Sequence, residues 1–218
     1  MIPAVVTVGP LAASNAALLA ASQTPTSGTP LTLTGSQPDV ARRILLTYGN
    51  EGAPRTLVLK GTNHTGNPIS ETLAVPSGAG GTVASLQDFL TVTSALPLGG
   101  GWTAAVTLGT NGVASSPWKM LDNLVTPVNL AIGVVISGTV NFTVEYTYDD
   151  PNGLTYNFNQ PVLVIPTPWS ISALASKAAN TDGTLLQPAK AWRLTVNSGN
   201  GSATATGIQS GNAQGAPV

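Results

Sequence analysis

Val140-Asn141-Phe142-Thr143-Val144-Glu145-Tyr146-Thr147-Tyr148 decides the fold. Apolar and polar residues alternate without a break. Val140, Phe142, Val144, Tyr146 and Tyr148 share one face, and Asn141, Thr143, Glu145 and Thr147 share the other. A period of two is the signature of a strand with one buried face and one wet face. Upstream, Leu130–Ile136 is a second apolar run, separated from the first by Ser137-Gly138-Thr139. Two such runs around a short Gly turn predict an antiparallel hairpin. Downstream, Asp149-Asp150-Pro151-Asn152-Gly153 is a run of turn formers that ends the strand.

The same grammar extends in both directions. Arg42–Tyr48, Thr56–Lys60, Ile69–Val75, Phe89–Thr93 and Trp102–Leu108 read as strands, parted by Gly49–Gly52, Gly61–Pro68, Pro76–Gly81 and Gly99–Gly101. Trp192–Asn197 and Ala203–Ile208 predict a last hairpin, followed by a Gly/Ala/Pro tail at Ser210–Val218. Two stretches break the pattern. Leu11–Gln23 is rich in Ala and Leu, and residues 170–180 are rich in Ala and Ser. Each predicts one short helix. Strands of this length and spacing predict an all-β chain of the antiparallel sandwich or jelly-roll type. Its expected parts are an extended N-terminal arm at 1–30, a first β unit at 31–114 and a second at 115–218. Ala41–Asn50 echoes Lys190–Asn200 as a basic, apolar strand followed by a Gly/Asn turn, and Pro117-Trp118 echoes Pro168-Trp169.

Composition narrows the function classes. The 218 residues hold eight Lys and Arg, nine Asp and Glu, one His and no Cys, for a net charge of −1. Charged residues make up 8%, against roughly 25% in an ordinary soluble domain. A folded chain of this size would carry about one charge per 550 Å² of surface. So sparse a surface favours association. Without Cys there is no disulfide, thiolate metal site or Cys nucleophile. The charge balance offers no basic footprint for nucleic acid, and no run approaches the length of a membrane span. No Lys or Arg precedes Arg42, so Leu11–Ala21 lacks the basic region of a secretory signal. Without such a signal the sequons at Asn63, Asn141 and Asn200 carry little weight.

Catalytic constellations are thin. His64, the single histidine, lies in the polar turn Gly61-Thr62-Asn63-His64-Thr65-Gly66-Asn67, and no Gly-x-Ser-x-Gly elbow supplies a serine for it. Asp149 and Asp150 are adjacent and close a strand, whereas glycosidase carboxyls face each other across a cleft. Their loop lacks EF-hand spacing. Gly78–Gly81 and Gly99–Gly101 are not followed by the Lys-Ser/Thr and helix of a phosphate cradle. The sequence therefore predicts no catalytic residue, no cofactor and no metal site. Trp102 and Trp192 begin apolar strands and read as core. Trp118 and Trp169 follow prolines in linkers and read as interface residues, or as sugar platforms if exposed. Leu11, Leu18 and Leu19 are the apolar residues with which the arm would grip a neighbouring subunit.

Three segments carry a resemblance. Arg55–Leu73 contains Gly-Thr-Asn-His-Thr-Gly-Asn-Pro-Ile-Ser-Glu-Thr, Asp88–Leu96 contains Phe-Leu-Thr-Val-Thr-Ser, and 138–151 reads Gly-Thr-Val-Asn-Phe-Thr-Val-Glu-Tyr-Thr-Tyr-Asp-Asp-Pro. With Trp102–Gly112 and Ser116-Pro117-Trp118, they resemble patterns common in structural proteins of tailed bacteriophage virions. The resemblance implies a protein assembled in the host cytoplasm and carried in the virion, with no enzymatic role. It implies a capsid cement or decoration protein that bridges capsomers, whose partners are the major capsid protein and copies of itself as a dimer or trimer. A tail, head-fibre or adaptor protein is the alternative, followed by a carbohydrate (receptor)-binding module.

Overall fold

The structure, a computed structural model, describes residues 3–122, 125–157, 160–163 and 165–213. Of the expected C-terminal tail, residues 214–218 lie outside them, as do residues 1 and 2 of the expected arm. The chain is all-β, with antiparallel pairing throughout. Strand β1 (Ala4–Val8) comes first. It is followed by β2 (Asn15–Gln23), β3 (Arg42–Tyr48), β4 (Arg55–Thr62), β5 (Pro68–Val75), β6 (Gly81–Phe89), β7 (Thr91–Leu98) and β8 (Val106–Thr110). Two short strands, β9 (Ala114–Ser115) and β10 (Lys119–Met120), lead to β11 (Val125–Ser137) and β12 (Val140–Thr147). These two do not pair as the expected hairpin: β11 lies between β18 and β16 and β12 between β17 and β15, so the turn at Ser137–Thr139 crosses from one sheet to the other, and the expected last hairpin parts in the same way, β17 into one sheet and β18 into the other. A small hairpin, β13 (Leu154–Asn157) with β14 (Gln160–Leu163), precedes β15 (Trp169–Ser170), β16 (Thr181–Leu185), β17 (Ala191–Gly199) and β18 (Ser202–Ala213).

These strands form two compact units. One is continuous, Ala12–Gly112. The other is discontinuous, Met1–Leu11 with Val113–Val218. The expected arm is therefore divided: β1 pairs with β18 in the discontinuous unit, and β2 pairs with β8 in the continuous one. Alternation explains the docking of β1, because Val6 and Val8 point into the core and Val5 and Thr7 point out. The backbone of Gly28 and Leu31 bonds Pro97 and Ala95, so the end of the expected arm is also held.

Both units use one strand order. In the continuous unit the larger sheet runs β2-β8-β3-β6 and the smaller β5-β4-β7. Counted along the unit, that is first, seventh, second, fifth, and then fourth, third, sixth. The discontinuous unit repeats it as β1-β18-β11-β16 and β15-β12-β17. It adds β9 and β10 on the far side of β17. The sequence echo between Ala41–Asn50 and Lys190–Asn200 joins strands that are not equivalent, since β3 is the second strand of the shared order and β17, with β9, β10, β13 and β14 set aside, the sixth. What they share is a buried arginine held by a carboxylate: Arg42 by Asp39 at 2.7 Å and Arg193 by Glu145 at 2.7 Å.

Neither expected helix forms. Leu11–Gln23 gives β2, whose irregular register against β8 places Leu19 and Ala20 in the core. Helix propensity is a weak local term, and burial against a sheet outweighs it. In residues 170–180 only Ser172–Leu174 makes a 3-10 turn. The backbone of Lys177 then exchanges two hydrogen bonds with Phe142, each 2.8 Å, and this pulls the segment into the sheet.

The decisive strand keeps its expected buried face but not its wet one: Thr143 and Thr147 are 5% and 0% exposed, their hydroxyls accepting from Ser176 N and Asp149 N. In β12, Val140, Phe142 and Val144 are fully buried, Tyr146 is 9% exposed, and the same face ends in Tyr148 at 54%. Opposite it, Trp192 lies flat over β18, where a Cβ on Gly207 would fall 2.5 Å from the indole. The core thus needs glycine at 207. In the continuous unit, Ile44, Leu46, Leu57, Leu59 and Leu108 are fully buried. Its two ends are tied by Arg42, which is 1% exposed. Nη1 donates to the carbonyl of Ala12 at 3.1 Å, and Nη2 donates to that of Asn111. Asp39 completes the clasp by accepting the Ala12 N–H at 2.7 Å.

Candidate functional site

The residues with catalytic chemistry serve turns. Asn63 Oδ1 accepts from Thr65 N, Thr65 Oγ1 and Asn67 N, and Gly66 takes φ 81°, so the His64 segment is a side-chain-locked turn. Asp149 Oδ2 accepts from Thr167 N at 2.7 Å, and Asp150 Oδ1 accepts from Asn152 N at 3.0 Å. Gly78 exchanges backbone bonds with Glu51, while Gly99 and Gly101 lend their carbonyls to Arg55. Among the described residues, no group of three or more His, Asp or Glu converges as a metal-ligand set. No helix of the described residues is long and apolar enough to cross a membrane.

Several buried carboxylates organise loops. Glu51 is fully buried and accepts from Thr103 N, Ala104 N and Thr103 Oγ1. Burial alone would raise its pKa, but these donors and Arg55 outweigh that and hold it below the usual 4.5. Glu71 takes Leu86 N at 2.7 Å and Gln87 N at 2.9 Å. There desolvation wins, and its pKa is raised. The carboxylate pins a bulge in β6 that turns Leu86 outward, 63% exposed.

The expected interface residues divide. Leu11 and Leu19 are 3% and 1% exposed and Leu18 is half-buried, so this chain's own packing consumes most of the apolar surface assigned to a gripping arm. Trp118 is half-buried beneath the Arg193 guanidinium, 4.5 Å from the ring centroid. Arg193 in turn bonds Glu145, which also accepts from Thr195 Oγ1 at 2.9 Å. Trp118 is thus part of a buried polar network. Trp102 and Trp192 are buried, as their sequence setting indicates. Trp169 is 52% exposed.

Among the described residues, exposed apolar side chains gather on two surfaces. The first is the outward face of β1-β18-β11-β16. Register places Thr7, Thr204 and Val135 in one row, Val5, Thr206, Gly133 and Asp182 in the next, and Ile208, Ala131 and Thr184 in a third. Only Asp182 is charged, and it sits on the edge strand. Val5, Val135 and Ile208 are 54%, 60% and 44% exposed. A shallow depression of about 390 Å³ lies over Gly133, Val135 and Asp182. The face was invisible in the sequence, because it joins residues from both ends of the chain.

The second surface is an aromatic corner where the core face of β12 emerges. The rings of Tyr146 and Tyr148 meet edge to face at 5.5 Å and 87°, and Tyr148 meets Trp169 at 6.5 Å and 62°. A hydrogen bond with Tyr146 pushes the Tyr148 phenol above its usual 10.0 and keeps it protonated. Sequence reading singled out Trp169. It missed Tyr148, whose place in an alternating apolar row marked it as core. Compared with protein-family models, curated proteins and solved structures, the chain gives no match.

Proposed function

We propose that this chain is a virion structural protein that covers and braces a capsid surface as a cement or decoration protein. The observation that supports the reading best is the outward face of β1-β18-β11-β16: rich in Thr and small aliphatic residues and, among the described residues, bearing one charge at its margin. Burying such a face desolvates almost no ionic group, which removes one cost of protein association. Strand and residue spacings give its described part roughly 450–500 Å² in projection. That is within a factor of two of the ~800 Å² per partner of a standard interface. Contacts of this kind, repeated over a shell, stabilise the assembled form by mass action because they exist only there. The charge-poor composition and the likeness to tailed-phage structural proteins point the same way.

The experiment is quantitative mass spectrometry of purified particles against the major capsid protein, followed by rebinding of purified protein to stripped particles. Cement predicts on the order of hundreds of copies, as icosahedral symmetry requires. It also predicts that Thr206→Lys, which places a charge at the centre of the face, abolishes rebinding while the protein stays folded. On the order of ten copies would replace this reading with the tail or fibre adaptor. Unchanged rebinding of the variant would remove the sheet face from the contact.

A further inference from the structure

We propose that the corner formed by Trp169 and Tyr148 is a binding site for a neutral pyranose sugar. An indole and a phenol, each about half exposed, stand side by side on a rigid base. The rigidity has named sources. Trp169 pairs with Tyr146, and Ser170 with Glu145, across β15 and β12. Ile171 N donates to Val144 O at 3.0 Å, and Thr167 N donates to Asp149 Oδ2 at 2.7 Å. Tyr148 leans its ring on Tyr146, which is itself in the core. An aromatic held this way loses little entropy when a ligand covers it, and that is what a binding platform needs.

The ring geometry selects the ligand chemistry. Cages for quaternary ammonium groups hold a cation between ring faces. Here the rings meet edge to face, at 87° and 62°, so they do not stand as two opposed faces with a cation between them. What remains is an open aromatic surface with a polar rim. The negative face of an aromatic ring attracts weakly positive C–H bonds, such as those on the apolar side of a pyranose. The rim supplies a partner for hydroxyls in the Tyr148 phenol, and Asp150, two residues on in the chain, is exposed in the adjoining turn and uses Oδ1 to hold Asn152 N. A phenol beside an indole suits a polyol that presents one apolar face and several hydroxyls.

The test uses the full chain and three probes, cellotetraose, maltotetraose and chitotetraose, read by saturation-transfer NMR on the sugar ring protons. At least one is expected to bind, with the strongest transfer to protons on a single pyranose face. Trp169→Ala should weaken that binding by about tenfold or more, and Tyr148→Ala by a smaller factor, as expected for an anchor and its neighbour. Trp118→Ala, which lies in the buried network, should leave it unchanged. Thermal melts check that each variant folds, and Tyr148→Ala decides the matter if Trp169→Ala does not. The proposal is overturned if none of the three sugars binds at millimolar concentration, or if binding survives both aromatic substitutions. It is independent of the capsid reading, because rebinding of Trp169→Ala to particles reports on the sheet face and not on the corner.

Discussion

Arg42→Met tests the clasp that closes the continuous unit. The guanidinium is 1% exposed, and it holds the carbonyls of Ala12 and Asn111 together with the carboxylate of Asp39. Methionine keeps the apolar stem and removes all three bonds. Hydrogen bonds to charged groups are worth about 1.5–3 kcal/mol each, and breaking a buried ion pair costs about 3–5 kcal/mol. Asp39 is 30% exposed on its side chain and regains water, as does Ala12 at the surface. The lower part of the range therefore applies, about 3 kcal/mol. For a unit of about 100 residues that lowers Tm by roughly 12–20 °C. Calorimetry reads the shift, and hydrogen exchange locates it. Amides of β2 and β8 should lose protection, because these strands carry the two clasped ends, while β17 and β18 keep theirs. A fall in Tm of less than about 3 °C would refute the reasoning, since one lost kcal/mol already moves Tm by more than that. So would an equal loss of protection in β17 and β18.

Two further outcomes follow from buried groups. Glu51 has a folded pKa below the usual 4.5. Its contribution to stability is therefore complete above that value and is lost as pH falls through the folded pKa. The stability difference between wild type and Glu51→Gln should be largest near neutrality and should shrink below about pH 4.5; a constant offset from pH 7 to pH 3 would contradict it. Asp39, also lowered, acts in the same direction, whereas the raised Glu71 acts in the opposite one and favours the fold at low pH. Gly207→Ala would place a methyl 2.5 Å from the Trp192 ring. It should cost about 1–3 kcal/mol by overpacking, read as a lower denaturation midpoint. An unchanged denaturation midpoint would show that β18 and Trp192 can part without cost.

Much of the fold was legible because strands write themselves locally. The buried row of Val140–Tyr148 and the Gly turns at Ser137–Thr139 and Gly61–Pro68 each depend on a few neighbouring residues; chain reversals form at both turns, the second narrowed because Gly61 and Thr62 continue β4, while the partners of the flanking strands at Ser137–Thr139 lie elsewhere. Where the sequence misled, the deciding contact was remote. Leu11–Gln23 has the composition of a helix, yet Leu19 and Ala20 are drawn into a sheet by β8, which follows some eighty residues later. The echo between β3 and β17 does not reflect a shared place in the sandwich, and the buried arginines do not coincide in it, since Arg193 falls opposite Arg43 and not Arg42.

The sequence by itself determined the all-β class, the sparse charge and the turns, since each rests on composition or on a period of two. Only the tertiary structure decided which residues share a surface. Val5, Val135 and Ile208 lie far apart in the chain and become neighbours because β1 and β11 flank β18. Trp169 and Tyr148 meet because a two-residue strand pairs with the end of β12. Strand pairing is a long-range choice made by whichever faces bury best, and a local pattern of alternation says which residues point the same way but not what stands beside them.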